Sequence, residues 1–158
     1  MSSPCRFRVV GLWVAKKISK QNEPFFNSIF TLSSHHPYVI PKDVQGKLKS
    51  GPFPICESLN FGDYALREFF KEAQKQPWYK NTIFVFVADH TASSRSSYYG
   101  QRAGKFSVPI LYFMPNGKIP AKKHEEITQQ IDILPSILHL IGYEKQIYAF
   151  GQSVFDRK

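Results

Sequence analysis

Two places in the chain bring together side chains that could do chemistry. Asp89 and His90 stand side by side at the end of Asn81-Thr82-Ile83-Phe84-Val85-Phe86-Val87-Ala88, a near-continuous apolar run. His35 and His36 stand side by side just after the apolar content of Phe25 to Ser33. A carboxylate and a neutral imidazole are donors that suit Mn2+ or Zn2+. A nearby histidine can bind an oxyanion or protonate a leaving oxygen. Each pair also has a plain structural reading. A strand-end Asp-His can make local hydrogen bonds only, and a loop histidine can be surface decoration.

The elements that must position these residues follow from the pattern around them. Residues 82–88 are β-branched and aromatic and end in polar groups, which predicts a strand buried on both faces. Asp89 and His90 then emerge at its carboxyl end, where open α/β sheets hold ligands and metals. Phe25 to Ser33 reads as an earlier strand, with Phe26, Ile29, Phe30 and Leu32 apolar. Pro37 biases His36 towards an extended backbone, so both histidines fall in a loop. Residues 39–56, with Pro41, Gly46, Gly51, Pro52 and Pro54, form a long loop that could wall a pocket.

Residues 58–76 show helical spacing, with Leu59, Tyr64, Ala65, Leu66, Phe69, Phe70 and Ala73 on one side. Glu68–Lys71 and Glu72–Lys75 are favourable three-residue pairs on the other. Asp63 sits on or near the inner face in this reading, with a structural role as a local cap or a partner to a loop. Residues 91–105 are a loop carrying Arg95, Arg102 and Lys105, which could hold an anion or face solvent. Ser107 to Met114 is a further strand, entered near Pro109. Thr128 to Gly142 reads as a helix with Asp132 as a candidate cap, Pro135 in the first turn and Gly142 at the end. His139 lies within it as a structural residue. Residues 1–24 are the least organised part, and Val9 to Val14 fit either a short strand or the start of a helix. Strand, helix, strand, strand, helix is the order of an α/β layered fold with a mainly parallel central sheet and flanking helices. Two or three such strands make a poor free-standing sheet, so the chain reads as part of something larger.

Bulk properties set outer limits. The 158 residues suffice for one domain. A hydrophobic fraction of 42% and an aromatic fraction of 15% favour a folded core over a disordered chain. The formal charge of +9 would suit nucleic acid, an anionic membrane surface or an anionic substrate. No nucleic-acid motif accompanies it, and no nucleic acid is expected. Cys5 and Cys56 are too few for a disulfide framework. No stretch reaches the roughly 18–20 apolar residues of a membrane span, and the start makes a poor signal peptide. The chain as written is expected to be cytoplasmic.

The ordered set Thr31-Leu32-Ser33-Ser34-His35-His36-Pro37-Tyr38, Trp78 to Thr82, Val87-Ala88-Asp89-His90-Thr91, Phe106-Ser107-Val108-Pro109-Ile110 and Thr128 to Gly142 resembles the carboxyl-terminal half of a bacterial sulfatase-type domain. The branch it is most similar to is the lipoteichoic acid synthase-like phosphoglycerol transferases, within the alkaline phosphatase superfamily. The likeness runs from about residue 24 to 156, so residues 1–23 are read as an unmatched, irregular segment and 24–158 as the carboxyl-terminal portion of a catalytic domain. The resemblance implies a partial alkaline phosphatase-like layered fold. It implies a divalent metal, often Mn2+, with ligands at Asp89 and His90, and a substrate phosphate or glycerol contact at His35. His36 falls where the branch has a non-catalytic, often aromatic, residue. Complete relatives are implied to be membrane-anchored with an extracytoplasmic catalytic domain.

The resemblance also implies what to expect of this chain alone. In the family the threonine nucleophile and an acidic metal ligand precede this region, and Thr31 and Thr91 do not replace them. The chain is therefore expected to be inactive by itself, to bind metal weakly or not at all, and to need a complementary amino-terminal half. The alternative is a non-catalytic module that binds an anion or a glycolipid head group.

Overall fold

The structure, a computed structural model, describes residues 6–42, 44–92 and 96–156. Cys5 and Arg95 lie outside the described residues. The chain divides into two compact units, Met1–Lys80 and Asn81–Lys158.

The first unit is built on two helices, α1 (Arg6–Ile18) and α2 (Ile55–Ala73). Of the two readings of Val9 to Val14, the structure takes the helical one. The helices pack closely where α1 carries Gly11: a Cβ there would stand 3.0 Å from the Ala65 carbonyl oxygen. Ala15, Phe61, Ala73 and Trp78 are buried, and Ile18, Ile40 and Ile55 complete the core. Trp78 is fixed at its polar end, because its indole N–H donates to Ser19 Oγ at 2.9 Å. Phe25 meets the Trp78 ring edge-on at 6.0 Å. On the solvent side of α2, Arg67–Asp63, Lys71–Glu68 and Lys75–Glu72 pair at 2.6–2.8 Å. Asp63, expected on or near the inner face as a cap or loop partner, is instead exposed and pairs with Arg67 of its own helix. The Lys75 hydrogen bond holds the Glu72 carboxyl below its ordinary range, and the charges of Lys75 and Lys16 pull the same way.

The second unit holds β1 (Phe84–Val87), α3 (Ser97–Gly100), β2 (Ile110–Phe113) and α4 (Ile133–Leu140). A 3-10 turn at Gln130–Asp132 leads into α4, and Pro135 lies in the first turn of that helix. The end of α4 is a Schellman motif: Gly142 N–H donates to His139 O at 3.0 Å and Tyr143 N–H to Leu138 O at 2.9 Å. Phe155 brings the tail back onto the unit. Its ring lies 5.2 Å from Tyr112 and 6.1 Å from His139, which gives His139 a packing role.

The tail is anchored by a buried polar cluster. Asp132 is only 3% exposed. Its Oδ2 accepts from Gln129 N–H and its Oδ1 from Gln152 N–H, both at 2.9 Å. Ser136 Oγ donates to Asp132 O at 2.6 Å and accepts from Val154 N–H at 3.1 Å. A carboxylate out of water needs such donors, since leaving it unpaired would cost several kcal/mol. Gly151 permits the approach. A Cβ at that position would collide with the Ile131 carbonyl.

The sheet departs from the expected one. It has two strands, β1 and β2, and they run antiparallel, with Phe84 opposite Phe113 and Val87 opposite Ile110. A mainly parallel central sheet is therefore not what this chain forms. A parallel pair needs a crossover connection, usually through a helix long enough to return the chain to the starting end. Between Val87 and Ile110 the described helical pieces are the four-residue α3 and a 3-10 turn at Gly104–Phe106, and the chain reverses instead. Phe25–Leu32 is not a strand either. It contains no helix, turn or bend, and no described strand pairs with it. The fold is α/β, with a small antiparallel sheet.

Candidate functional site

The strand β1 delivers Asp89 and His90 just beyond its carboxyl end, as the apolar run predicts. Both side chains are open to solvent, at 58% and 63% exposure. The His90 backbone N–H donates to Asp89 Oδ1 at 2.8 Å. His90 Nδ1 lies 2.9 Å from Thr91 O. A carbonyl can only accept, so Nδ1 carries the hydrogen, and a neutral ring keeps its lone pair on Nε2. That Nε2 stands 3.5 Å from Asp89 Oδ2. A carbonyl holding one ring nitrogen is a usual orienting contact for an imidazole that binds a metal through the other. With the ring protonated, the same pair is an exposed ion pair worth at most about 1 kcal/mol.

Two further contacts fix this corner. Gln130 Nε2 donates to Ala88 O at 2.8 Å and to Asp89 O at 3.1 Å. Thr91 donates to Lys105 O through both N–H, at 2.9 Å, and Oγ1, at 3.1 Å. These bonds hold the backbone on either side of His90. A cavity of about 540 Å3 opens beside it, bounded by Thr91, Tyr99, Lys105 and Phe106. Among the described residues of the 91–105 loop, Lys105 is the basic one that lines this space.

His35 belongs to the first unit. Its backbone N–H donates to Leu32 O at 3.1 Å, and its Nδ1 donates to His36 O at 2.7 Å. By the same reasoning as for His90, the neutral ring offers Nε2 outward. The His36 ring instead meets Tyr38 edge-on at 5.8 Å.

Asp89 and His90 are donors of the type a divalent metal takes. Among the described residues, however, no group of three or more His, Cys, Asp or Glu side chains gathers to hold an ion. Structural and catalytic cations take about four to six protein and water donors. The pair fits one side of such a site and does not complete it.

The sulfatase family pattern matches residues 11–143. The chain belongs to the sulfatase family. Among curated proteins, it is similar to the lipoteichoic acid synthase of Staphylococcus aureus strain USA300, at 26% identity over 155 residues. The synthase of strain NCTC 8325 gives the same figures. That match covers 88% of this chain and 24% of the synthase, so the chain spans about a quarter of the length of these relatives. Among solved structures, it is similar to a protein in the alkaline phosphatase superfamily from Vibrio parahaemolyticus, with a TM-score of 0.76 and 28% identity. That match covers 96% of this chain and 36% of the other. This sulfatase-family chain is thus related distantly to lipoteichoic acid synthase-like proteins through a partial match.

Sequence reasoning missed Gln130. It is a polar residue at the entrance to a helix, and nothing in its neighbourhood marks a partner 41 and 42 residues earlier. Of the two described basic loop residues it raised, Arg102 and Lys105, Lys105 lines the cavity.

Proposed function

We infer that this chain is a part of a metal-dependent catalytic domain acting on sulfate or phosphate esters, and that alone it is inactive. Asp89 and His90 are its contribution to a divalent cation site, and His35 its contribution to binding the ester's anionic group. The observation that carries this reading is the 3.5 Å convergence of His90 Nε2 and Asp89 Oδ2, with His90 Nδ1 committed to Thr91 O. Family membership supports it, because the matched region includes all three residues. A bound divalent cation would supply a Lewis acid for an ester oxygen. The chain's own residues orient: Gln130 and Thr91 hold the backbone, Thr91 O fixes the imidazole, and His35 offers Nε2 for a hydrogen bond to an oxyanion.

The partial fit explains why activity is not expected from the chain alone. Two donors cannot hold an ion against about four water ligands with useful affinity. The remaining donors and the nucleophile would come from the rest of a catalytic domain. Calorimetric titration with Mn2+ and with Zn2+, on the wild type and on Asp89→Ala/His90→Ala, tests the reading. Weak binding that disappears in the double variant, with no turnover of sulfate or phosphate esters by either protein, is the expected result. Binding that is unchanged in the double variant would overturn the metal role. Turnover lost on Asp89→Ala would overturn the inactivity.

A further inference from the structure

Gln130 stands between two polar features of the second unit, the Asp89–His90 corner and the buried Asp132 cluster. Its Nε2 donates to Ala88 O and to Asp89 O, at 2.8 and 3.1 Å. Carbonyls of successive residues in a straight strand point to opposite sides. One amide group reaches both where the backbone bends, and the chain does bend at Asp89 and His90. That bend sets the direction in which both side chains leave the end of β1. Gln130 is itself the first residue of the 3-10 turn Gln130–Asp132, which a capping box between Gln129 and Asp132 closes. Asp132 is the residue that the tail grips. Its Oδ1 accepts from Gln152 N–H at 2.9 Å, and Ser136 Oγ, bonded to Asp132 O, accepts from Val154 N–H at 3.1 Å. The tail backbone also lies directly against the turn, since a Cβ on Gly151 would collide with the Ile131 carbonyl. Only Ile131 separates the gripped residue from Gln130, so a shift at one end of the turn is passed to the other.

We propose that the tail segment Gly151–Val154 is a positioning element for the Asp89–His90 corner, acting through Asp132 and the Gln130 amide. The tail fixes the turn, the turn aims Gln130, and Gln130 holds the bend from which Asp89 and His90 project. The effect on His90 is specific. From that bend its Nδ1–H reaches Thr91 O, and this bond leaves Nε2 with the lone pair. When the bend relaxes, nothing keeps the hydrogen on Nδ1. Contact along a path is not yet coupling; coupling means that two substitutions on the path share one effect. The proposal rests, for its consequence, on the reading of Asp89 and His90 as cation donors. Its test contains no metal, so a failed Mn2+ titration and a failed positioning test are separate results.

The experiment reads the His90 ring tautomer from its ring-nitrogen resonances in the full chain, without metal, at about pH 8.5, where imidazoles are neutral. The wild-type ring should be mainly Nδ1–H. Gln130→Glu keeps the side-chain length but carries a carboxylate that cannot donate. It should lower the ratio of Nδ1–H to Nε2–H about fivefold, the net worth of one hydrogen bond. Gln130→Lys, which restores a donor, should recover most of that ratio. Gly151→Ala, which forces tail and turn apart, should lower the ratio in the wild-type background and change it by less than about twofold in the Gln130→Glu background. Ser136→Ala, which gives up the Val154 bond and adds no bulk, makes the same comparison where Gly151→Ala does not fold. A wild-type ring that is not mainly Nδ1–H, an unchanged ratio in Gln130→Glu, or an equal loss in Gln130→Lys overturns the proposal. So does a tail substitution with no effect in the wild-type background, or one whose effect persists in full once the Gln130 amide is gone.

Discussion

Phe25–Leu32 and Phe84–Val87 are the two most strand-like stretches of this chain, and they end in different states. Both are rich in phenylalanine and aliphatic residues, and both lead into a histidine. Phe84–Val87 pairs with Ile110–Phe113, stacks Phe84 on Phe113 at 6.1 Å, and is half-buried over most of its length. Phe26 to Leu32 stays exposed. The difference lies in the rest of the chain and not in the stretches themselves. A strand is a relation between two segments, and local composition specifies only one side of it. The closed region found its partner 23 residues downstream, and the tail then covers the Tyr112 side of the pair through Phe155.

The largest expected effect tests the closed region at its latch. Asp132→Ala removes the acceptor for Gln129 N–H and Gln152 N–H and should cost about 3 kcal/mol in urea unfolding of the second unit. A loss under about 1 kcal/mol would mean that the tail is not held as described. Next comes a matched pair within the comparison. Phe84→Ala should cost about 2 kcal/mol, from lost burial and the cross-strand ring contact. Phe30→Ala should stay within about 0.5 kcal/mol of wild type. Equal losses would erase the distinction between the two stretches. Gln130→Ala should weaken any Mn2+ binding by about tenfold while barely moving the melting temperature, since it frees the Ala88 and Asp89 carbonyls without emptying the core. The smallest effect concerns α2. Because Lys75 holds the Glu72 carboxyl below 4.5, that pair's contribution is present above this pH and lost as pH falls below it. Glu72→Gln should therefore flatten the acid limb of the stability profile slightly, as read by thermal melts between pH 3 and 6.

These same regions show what the sequence carried. The α2 helix was legible from three- and four-residue spacing, and so were the Glu68–Lys71 and Glu72–Lys75 pairs. The side that packs was less so. Leu59 belongs to the apolar spacing yet is 53% exposed, whereas Phe61 and Ser58 are buried. Ser58 can be buried because its hydroxyl donates to Ile55 O at 2.8 Å within the same helix. Helical spacing marks a stripe, and the neighbour decides which edge of it is covered. Asp132 reads as an N-cap of α4, yet its side chain makes no cap bond to that helix. Its local partner Gln129 lies three residues away, but Gln152 lies 20 residues on, and no pattern announces a contact at that range. The placement of Asp89 and His90 just past a strand was legible from the apolar run, although that strand is half-buried and not buried on both faces. The fixing of His90 through Thr91 O, and the support from Gln130, depend on loop geometry that composition does not encode. The antiparallel sheet and the absence of a described strand at Phe25–Leu32 were missed for one reason: pairing and direction are set by the partner and the connection and not by the segment.

The Asp132 latch has a consequence for what keeps the second unit closed. The amides of Gln152 and Val154 complete the shell around Asp132 and Ser136. A buried carboxylate that loses one of its two donors is left partly unpaired, at a cost in stability. Deleting residues 152–156 would therefore open the unit at a point remote in sequence from Asp89, His90, Thr91 and Gln130, and would leave all four in the product.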